Sequence, residues 1–138
     1  MTGTNGLSPE KSEELKVYSV RISNRARRRI AEATANLAGW SGDRARAERW
    51  SAEFLRQIGS LATLPHRYQV FAHESRLLKR EVRRLLFSNA LFPSTIYHAL
   101  YEIIEDGEDG AHVTVVHVRY AAGRRMTRRE ADDVLADQ

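Results

Sequence analysis

The side chains in this sequence with the clearest chemical potential are arginines grouped around two apolar runs. Arg83 and Arg84 open the run VRRLLF, and Arg119 lies near the end of the run HVTVVHVRY. The same group contains Arg76, Lys79, Arg80, Arg124 and Arg125. A guanidinium binds phosphate or carboxylate through two parallel hydrogen bonds. The cluster therefore predicts an anion-binding surface, where the second and fourth predicted strands approach each other.

Two residues of the last apolar run, His117 and Tyr120, could transfer a proton beside these arginines. Arginines can also stabilise a phosphorane without a metal ion. The cluster is therefore compatible with phosphodiester cleavage. It is equally compatible with arginines that pair with the acids of residues 101–109 or with an acidic partner, and the residues alone leave both interpretations open.

Metal and cofactor chemistry finds no support in the spacing of the residues. The chain has no cysteine, and its five histidines are scattered rather than set at ligand spacing. It also lacks a phosphate-binding glycine loop and a nucleophile elbow. We expect a protein without a metal or a cofactor, although a dispersed Ser/His/Asp site stays open.

Charge divides the chain into blocks. Residues 21–84 hold 14 arginines and one lysine against six acids, a net charge of +9, whereas residues 101–112 carry a net charge of −5. Residues 113–129 return to +5, and the last nine residues carry −4. A basic body of this kind predicts a polyanionic or acidic partner.

The 138 residues predict one domain over residues 17–138, preceded by a flexible polar leader over residues 1–16. No stretch approaches the roughly 20 apolar residues that cross a bilayer, and the beginning of the sequence has no secretory pattern. We therefore expect a cytoplasmic protein that does not contact a membrane.

Residues 23–64 predict two amphipathic helices with a break at Gly39–Gly42, and the other elements are organised around this pair. Ser23 is the expected N-cap of the first helix, and Asp43 or Ser41 that of the second. The two apolar stripes include Trp40 and Trp50, which we expect to be core anchors. A strand over residues 17–22 precedes the helices.

Three further strands are predicted after a connector over residues 65–81. They cover residues 82–87, 96–105 and 112–120, and the middle one is apolar on both sides, as a central strand is. In the last strand Val116 and Val118 are expected on one face, and Val113, Val115 and His117 on the other. A capping box at Thr127-Arg128-Arg129-Glu130 begins a short helix to about Ala136. The prediction is an α+β fold, β-α-α-β-β-β(-α), with a four-stranded, mainly antiparallel sheet packed against a helical hairpin.

Residues 17–125 resemble the RelE/ParE superfamily of bacterial type II toxins. The resemblance is most specific in AERWSAEFLRQIGSLATLP at the second helix and in VTVVHVRYAAGRR at the last strand. It extends to VRISNRARRRIAEA, VRRLLF and YHALYEI. It implies the fold described above and a role in a toxin–antitoxin system.

The superfamily contains two activities, and the resemblance assigns residues to each. RelE-like members cut messenger RNA on the ribosome without a metal, whereas ParE-like members poison DNA gyrase. Arg83 matches the arginine of strand two and Arg124 the arginine after strand four, while the basic residues before strand two match Arg76, Lys79 and Arg80. The RelE-type tyrosine after the last arginine is missing, so His117 or Tyr120 would have to replace it.

The AAGRR ending resembles ParE, so the prediction is a ParE-like toxin, with a RelE-like endoribonuclease as the alternative. A non-toxic basic binding module with the same fold, and a nucleic-acid binder that uses the face of Arg25 and Arg29, are further alternatives. The toxin interpretation implies a cognate antitoxin whose acidic or amphipathic segment wraps the basic groove and an exposed sheet edge, forming a hetero-oligomer. Arg84, Arg119 and Arg125 join the basic stretch before strand two as expected target- or antitoxin-binding residues.

Overall fold

Helices and strands follow each other in the predicted order. The structure is a computed structural model that describes residues 16–122 and 125–137. Its elements are β1 (Ser19–Ile22), α1 (Asn24–Ser41), α2 (Arg44–Gly59), α3 (Ala72–Leu78), β2 (Arg83–Phe87), β3 (Tyr97–Gly107), β4 (Gly110–Tyr120) and α4 (Arg128–Ala136). The leader predicted over residues 1–16 lies outside the described residues, apart from Lys16.

The four strands form one sheet in the order β1-β4-β3-β2. β1 runs parallel to β4, and the other two pairs are antiparallel. The predicted α+β fold with a mainly antiparallel sheet is therefore confirmed, and so is a central position for β3. The expected approach of β2 to β4 is wrong, because β3 lies between them. Arginines on β2 and β4 consequently flank β3 from its two sides.

Side-chain caps define the ends of the two long helices. The hydroxyl of Ser23 accepts a hydrogen bond from the backbone N–H of Ala26 at 3.1 Å, and the carboxylate of Asp43 accepts one from Arg46 at 3.0 Å. Gly42 ends α1 in the left-handed conformation, with φ of 71°. The break between the helices and the capping residues Ser23 and Asp43 are therefore as predicted.

The α1–α2 hairpin covers one face of the sheet and forms the main core with it. Trp50 is fully buried there, and its ring lies 5.5 Å from Phe54, 5.8 Å from Phe87 and 5.3 Å from Tyr97 between centroids. The prediction for Trp40 is wrong, because 78% of that residue is exposed. It lies in the last turn of α1, beyond the part of the helix that faces the sheet.

A second, smaller core lies on the other face of the sheet, where α3 and α4 pack. It contains Leu78 of α3, Leu100 and Val116 of the sheet, and Ala131 and Val134 of α4. The helix α3 falls within residues 65–81, where a connector was predicted. Its seven residues are too few to produce a recognisable helical period. Both faces of the sheet are thus partly covered by helices.

A β-bulge in β4 changes which of its side chains share a face. Val113 and Val115 face the α1–α2 hairpin before the bulge, and Val118 does so after it. Val116, the extra residue, packs into the second core instead. The predicted alternation of this strand is wrong, because one inserted residue inverts the pattern of period two.

The turn between β3 and β4 is a two-residue hairpin loop. Gly107 pairs with Gly110 across it, and Gly110 has a φ of 92°, which favours glycine. No helix in the described part of the chain is both long and apolar enough to cross a bilayer.

Candidate anion-binding site

Two arginines and one histidine meet on the face of the sheet opposite the α1–α2 hairpin. His98 of β3 pairs directly with Arg119 of β4, and Arg84 of β2 lies diagonally next to His98 across the neighbouring strand pair. Side chains of alternate residues share a face, so the sheet itself brings these three together. The ring of Phe71, just before α3, packs against His98 at 5.6 Å between centroids. We call Phe71, Arg84, His98 and Arg119 the sheet-face cluster.

His98 is the centre of the sheet-face cluster. Only 5% of the residue is exposed, and neither of its ring nitrogens has a hydrogen-bond partner among the described residues. Burial, reinforced by the positive charges of Arg119 and Arg84, lowers the pKa of His98 to about 4. It is therefore neutral at physiological pH and presents one donor and one acceptor that nothing described satisfies. Buried polar groups are nearly always paired, so this one indicates a place for a ligand.

Neither arginine beside His98 forms an ion pair among the described residues, and Glu130 lines a cavity together with Arg119. Nη1 of Arg119 is buried without a partner in the described structure. The guanidinium carbon of Arg84 lies 4.4 Å from the centroid of the Phe71 ring, and none of the described carboxylates forms an ion pair with it. A buried donor left unsatisfied costs about 1–3 kcal/mol. The sheet-face cluster therefore holds two positive charges that an anion would stabilise.

His117, a predicted catalytic residue, lies in the next cross-strand row and is sealed inside the protein. It is fully buried, and its Nδ1 accepts a hydrogen bond from Nε of Arg25 at 3.3 Å. Burial, followed by the charge of Arg25, lowers the pKa of His117 to about 3. Asp137, just after α4, accepts a hydrogen bond from the backbone N–H of Arg25 at 2.8 Å and ties α4 to the start of α1. Because His117 is fully buried, an incoming substrate cannot contact it.

Arg83, which matches the catalytic arginine of strand two, forms hydrogen bonds within the fold. Its Nη1 donates to the carbonyl oxygens of His66 at 3.0 Å and Tyr68 at 2.7 Å, and its Nη2 lies 3.4 Å from Glu81. These bonds fasten the segment before α3 to the start of β2. Arg84, its neighbour, points to the opposite face and belongs to the sheet-face cluster.

Tyr120 lies on the hairpin side of the sheet, away from His98 and His117. It lines a cavity of about 270 Å³ between α1 and the end of β4, to which Tyr97, Arg29, Arg119 and Glu130 also contribute. The rings of Tyr97 and Tyr120 lie 5.5 Å apart between centroids. The described candidates for a nuclease site therefore do not converge on one point.

The remaining predicted basic residues have separate environments. Arg80 binds Glu102 with two hydrogen bonds, of 3.0 and 2.9 Å, which realises the predicted pairing with the acids of residues 101–109. Arg76, Lys79 and Arg125 are exposed, and Lys79 ends α3 with a φ of 57°. Arg124 lies outside the described residues.

The sheet-face cluster adjoins a sheet edge that is only partly covered. The segment before α3 bonds to the start of β2, through Phe71 to Val82 at 2.9 Å and through Arg84 to Gln69 at 3.0 Å. Further along β2, Leu86 is 50% exposed and lies beside a groove of about 280 Å³ that Arg67, Tyr68, Gln69 and Arg84 also line. Such an edge accepts another strand.

Sequence reasoning missed His98 and Phe71 as site residues. Neither stands out along the chain, since His98 is one of five scattered histidines and Phe71 lies in the assumed connector. A polar residue inside the most apolar predicted strand was the available signal for His98.

The described residues contain no group of three histidines, aspartates or glutamates placed to hold a metal ion. No protein-family model, curated protein or solved structure significantly matches this chain. The resemblance to the RelE/ParE superfamily therefore stays a prediction.

Proposed function

We propose that this chain is a ParE-like toxin of a bacterial type II toxin–antitoxin system, which acts on DNA gyrase in the cytoplasm and is neutralised by a cognate antitoxin. The observation that carries the proposal is the basic sheet face, whose Arg84 and Arg119 form no ion pair among the described residues, next to a partly covered edge of β2. Such a surface suits an acidic polypeptide partner, because arginines supply the charge complementarity and the edge supplies main-chain hydrogen bonds.

The scattered positions of the nuclease candidates favour gyrase over messenger RNA. Arg83 donates to backbone carbonyls, His117 is sealed, and Tyr120 lies on the other side of the sheet. Cleavage requires an anion-binding group and a proton acceptor within reach of one phosphate. These three residues do not supply that geometry.

A RelE-like nuclease is the second candidate, and His98 is the observation that favours it. A neutral imidazole between two arginines could accept a proton from a ribose hydroxyl. It would take the place of the tyrosine that the RelE pattern requires, provided the site opens to RNA.

Induced expression in bacteria distinguishes the two functions. The ParE-like proposal predicts growth arrest with intact messenger RNA and gyrase-dependent DNA damage, relieved by co-expression of the antitoxin. The test variant is Arg84→Gln/Arg119→Gln, and Arg27→Gln/Arg49→Gln is its control, because both of its positions are exposed on helices and the charge change is equal. Relief of growth arrest by the antitoxin in the control but not in the test variant supports the sheet face as the antitoxin-binding surface. Normal growth with the parent protein, or cut messages, would refute the ParE-like function.

A further inference from the structure

We propose that the sheet-face cluster is the anchor for one side-chain carboxylate of the neutralising partner, inserted between Arg84, His98 and Arg119. This inference rests on the proposed function and specifies the contact that would hold toxin and antitoxin together. It predicts an aspartate or glutamate of the partner as the dominant residue of that interface.

The unmet hydrogen bonds of the cluster match what a carboxylate offers. A carboxylate accepts several hydrogen bonds, and its oxygens can bind Nη1 of Arg119, the guanidinium of Arg84 and a ring N–H of His98. Of the seven buried polar side-chain atoms that lack a partner in the described structure, three belong to His98 and Arg119. One anion would accept hydrogen bonds from Nη1 of Arg119 and from the single ring N–H of neutral His98, which no described side chain of this chain does.

The shape of the cluster favours a carboxylate over a phosphodiester. The ring nitrogens of His98 and Nη1 of Arg119 are buried, so only a small group can reach them. A carboxylate is planar and comes on a slim methylene stem, whereas a backbone phosphate carries a sugar on each side. Phe71 and Leu86 provide apolar surface beside the charged groups, which suits such a stem.

The adjacent edge of β2 indicates that the carboxylate belongs to a polypeptide. Hydrogen bonds from the segment before α3 cover the beginning of β2, at Val82 and Arg84, while Leu86 stays half exposed. Backbone groups of an extended peptide can complete such an edge, and those of a nucleic acid cannot. An acidic side chain on this peptide would lie on the same face as Arg84.

This chain already uses carboxylates in the same way around the site. Glu102 of β3 binds Arg80, and Asp137 lies 4.0 Å from the guanidinium of Arg28. The sheet-face cluster repeats the basic half of such pairs without the acidic half.

Nuclear magnetic resonance of the purified chain tests the anchor directly. The probe is a capped pentapeptide with one central glutamate between valines and threonines, and its control carries glutamine instead. The ring signals of His98 are identified by their loss in His98→Gln. The charges that act on the pKa of this ring are those of Arg119 and Arg84, and the uncharged Phe71 and Leu86 lie beside it. The helices packed on this face also carry carboxylates, the buried Glu74 of α3 and Glu130 of α4.

The glutamate peptide should shift the His98 signals, raise the pKa of His98 by at least one unit, and bind at least tenfold more tightly than the glutamine peptide. Arg119→Gln should abolish that tenfold preference, whereas Arg27→Gln on the exposed side of α1 should preserve it. A folded Arg119→Gln protein, shown by its amide spectrum, is required for this comparison.

Three outcomes would overturn the inference. Equal binding of both peptides would show that the carboxylate is not recognised. Unchanged ring signals of His98 with both peptides would show that the cluster is not the anchor. A shift of His98 by the dinucleotide UpU but not by the glutamate peptide would assign the cluster to a phosphodiester. If one of these results is found and the protein still arrests growth, the carboxylate anchor fails while the proposed toxin function stands. The two proposals can therefore fail independently.

Discussion

Replacing Arg119 by methionine should stabilise the fold while it removes binding at the sheet-face cluster. The side chain of methionine follows the course of the arginine stem and carries no hydrogen-bond donor. In the parent protein Nη1 of Arg119 is buried without a described partner. Most substitutions of partly buried residues destabilise a protein, so the expected sign is unusual.

The magnitude follows from the unsatisfied donor. A buried donor without an acceptor costs about 1–3 kcal/mol, and part of this gain is offset by the lost hydration of the exposed part of Arg119. We expect the free energy of unfolding to rise by about 1–2 kcal/mol. For a chain of this size the melting temperature should rise by about 3–8 °C.

Urea denaturation followed by tryptophan fluorescence measures this difference, because Trp50 is fully buried in the folded protein and becomes exposed on unfolding. Arg27→Met is the matched control, since Arg27 is exposed on α1, and should change the stability by no more than about 0.5 kcal/mol. In Arg119→Met the pKa of His98 should also rise, because one of the positive charges that lower it is gone. Burial, the larger cause, should keep that pKa below the value of an exposed imidazole.

Destabilisation of Arg119→Met by more than about 1 kcal/mol would refute the reasoning. It would mean that Nη1 of Arg119 has a partner in solution, and the sheet-face cluster would then have no unmet charge to offer. An unchanged pKa of His98 would independently show that the two side chains are not neighbours.

Trp50→Ala should lower the free energy of unfolding by about 3–5 kcal/mol in urea titrations, and Trp40→Ala, at an exposed site, by less than about 1 kcal/mol; equal losses would contradict the assigned core. Asp137→Ala should cost about 0.5–2 kcal/mol in the same assay, because the first turn of α1 loses an acceptor, whereas Asp137→Asn should retain part of the stability. The pKa values of His98 and His117 are about 4 and about 3 in the folded protein, against 6.5 for a free imidazole. The unfolded chain therefore binds more protons below pH 6.5, and the free energy of unfolding should fall between pH 6.5 and pH 3. His98→Gln should show a shallower fall, and an identical slope would contradict the low pKa of His98.

Local chemistry made much of the fold predictable. Ser23, Asp43 and Thr127 cap helices in the structure as their side chains indicate in the sequence. Gly107 and Gly110 bracket the hairpin loop, because Gly110 has a φ of 92° and a Cβ atom at Gly107 would lie 2.8 Å from the carbonyl oxygen of Gly110. These are interactions within a few residues, which a sequence displays directly.

Long-range pairing decided what the sequence could not show. The bulge at Val116 depends on the register between β3 and β4, and it inverts the faces of the last strand. The side chains of two neighbouring residues in β2 likewise have different surroundings. Arg83 binds backbone carbonyls, whereas Arg84 belongs to the sheet-face cluster. His98 became a candidate only when the register placed it next to Arg119.

A supercoiling assay with purified DNA gyrase, ATP and relaxed plasmid tests the proposed function most directly. The account predicts that the purified chain inhibits supercoiling, and that the antitoxin restores supercoiling with the parent protein and with Arg27→Gln/Arg49→Gln but not with Arg84→Gln/Arg119→Gln. Cell-free translation with the same protein should leave its messages intact. Undisturbed supercoiling together with cut messages would contradict the account and assign the chain to the ribosome-dependent nucleases.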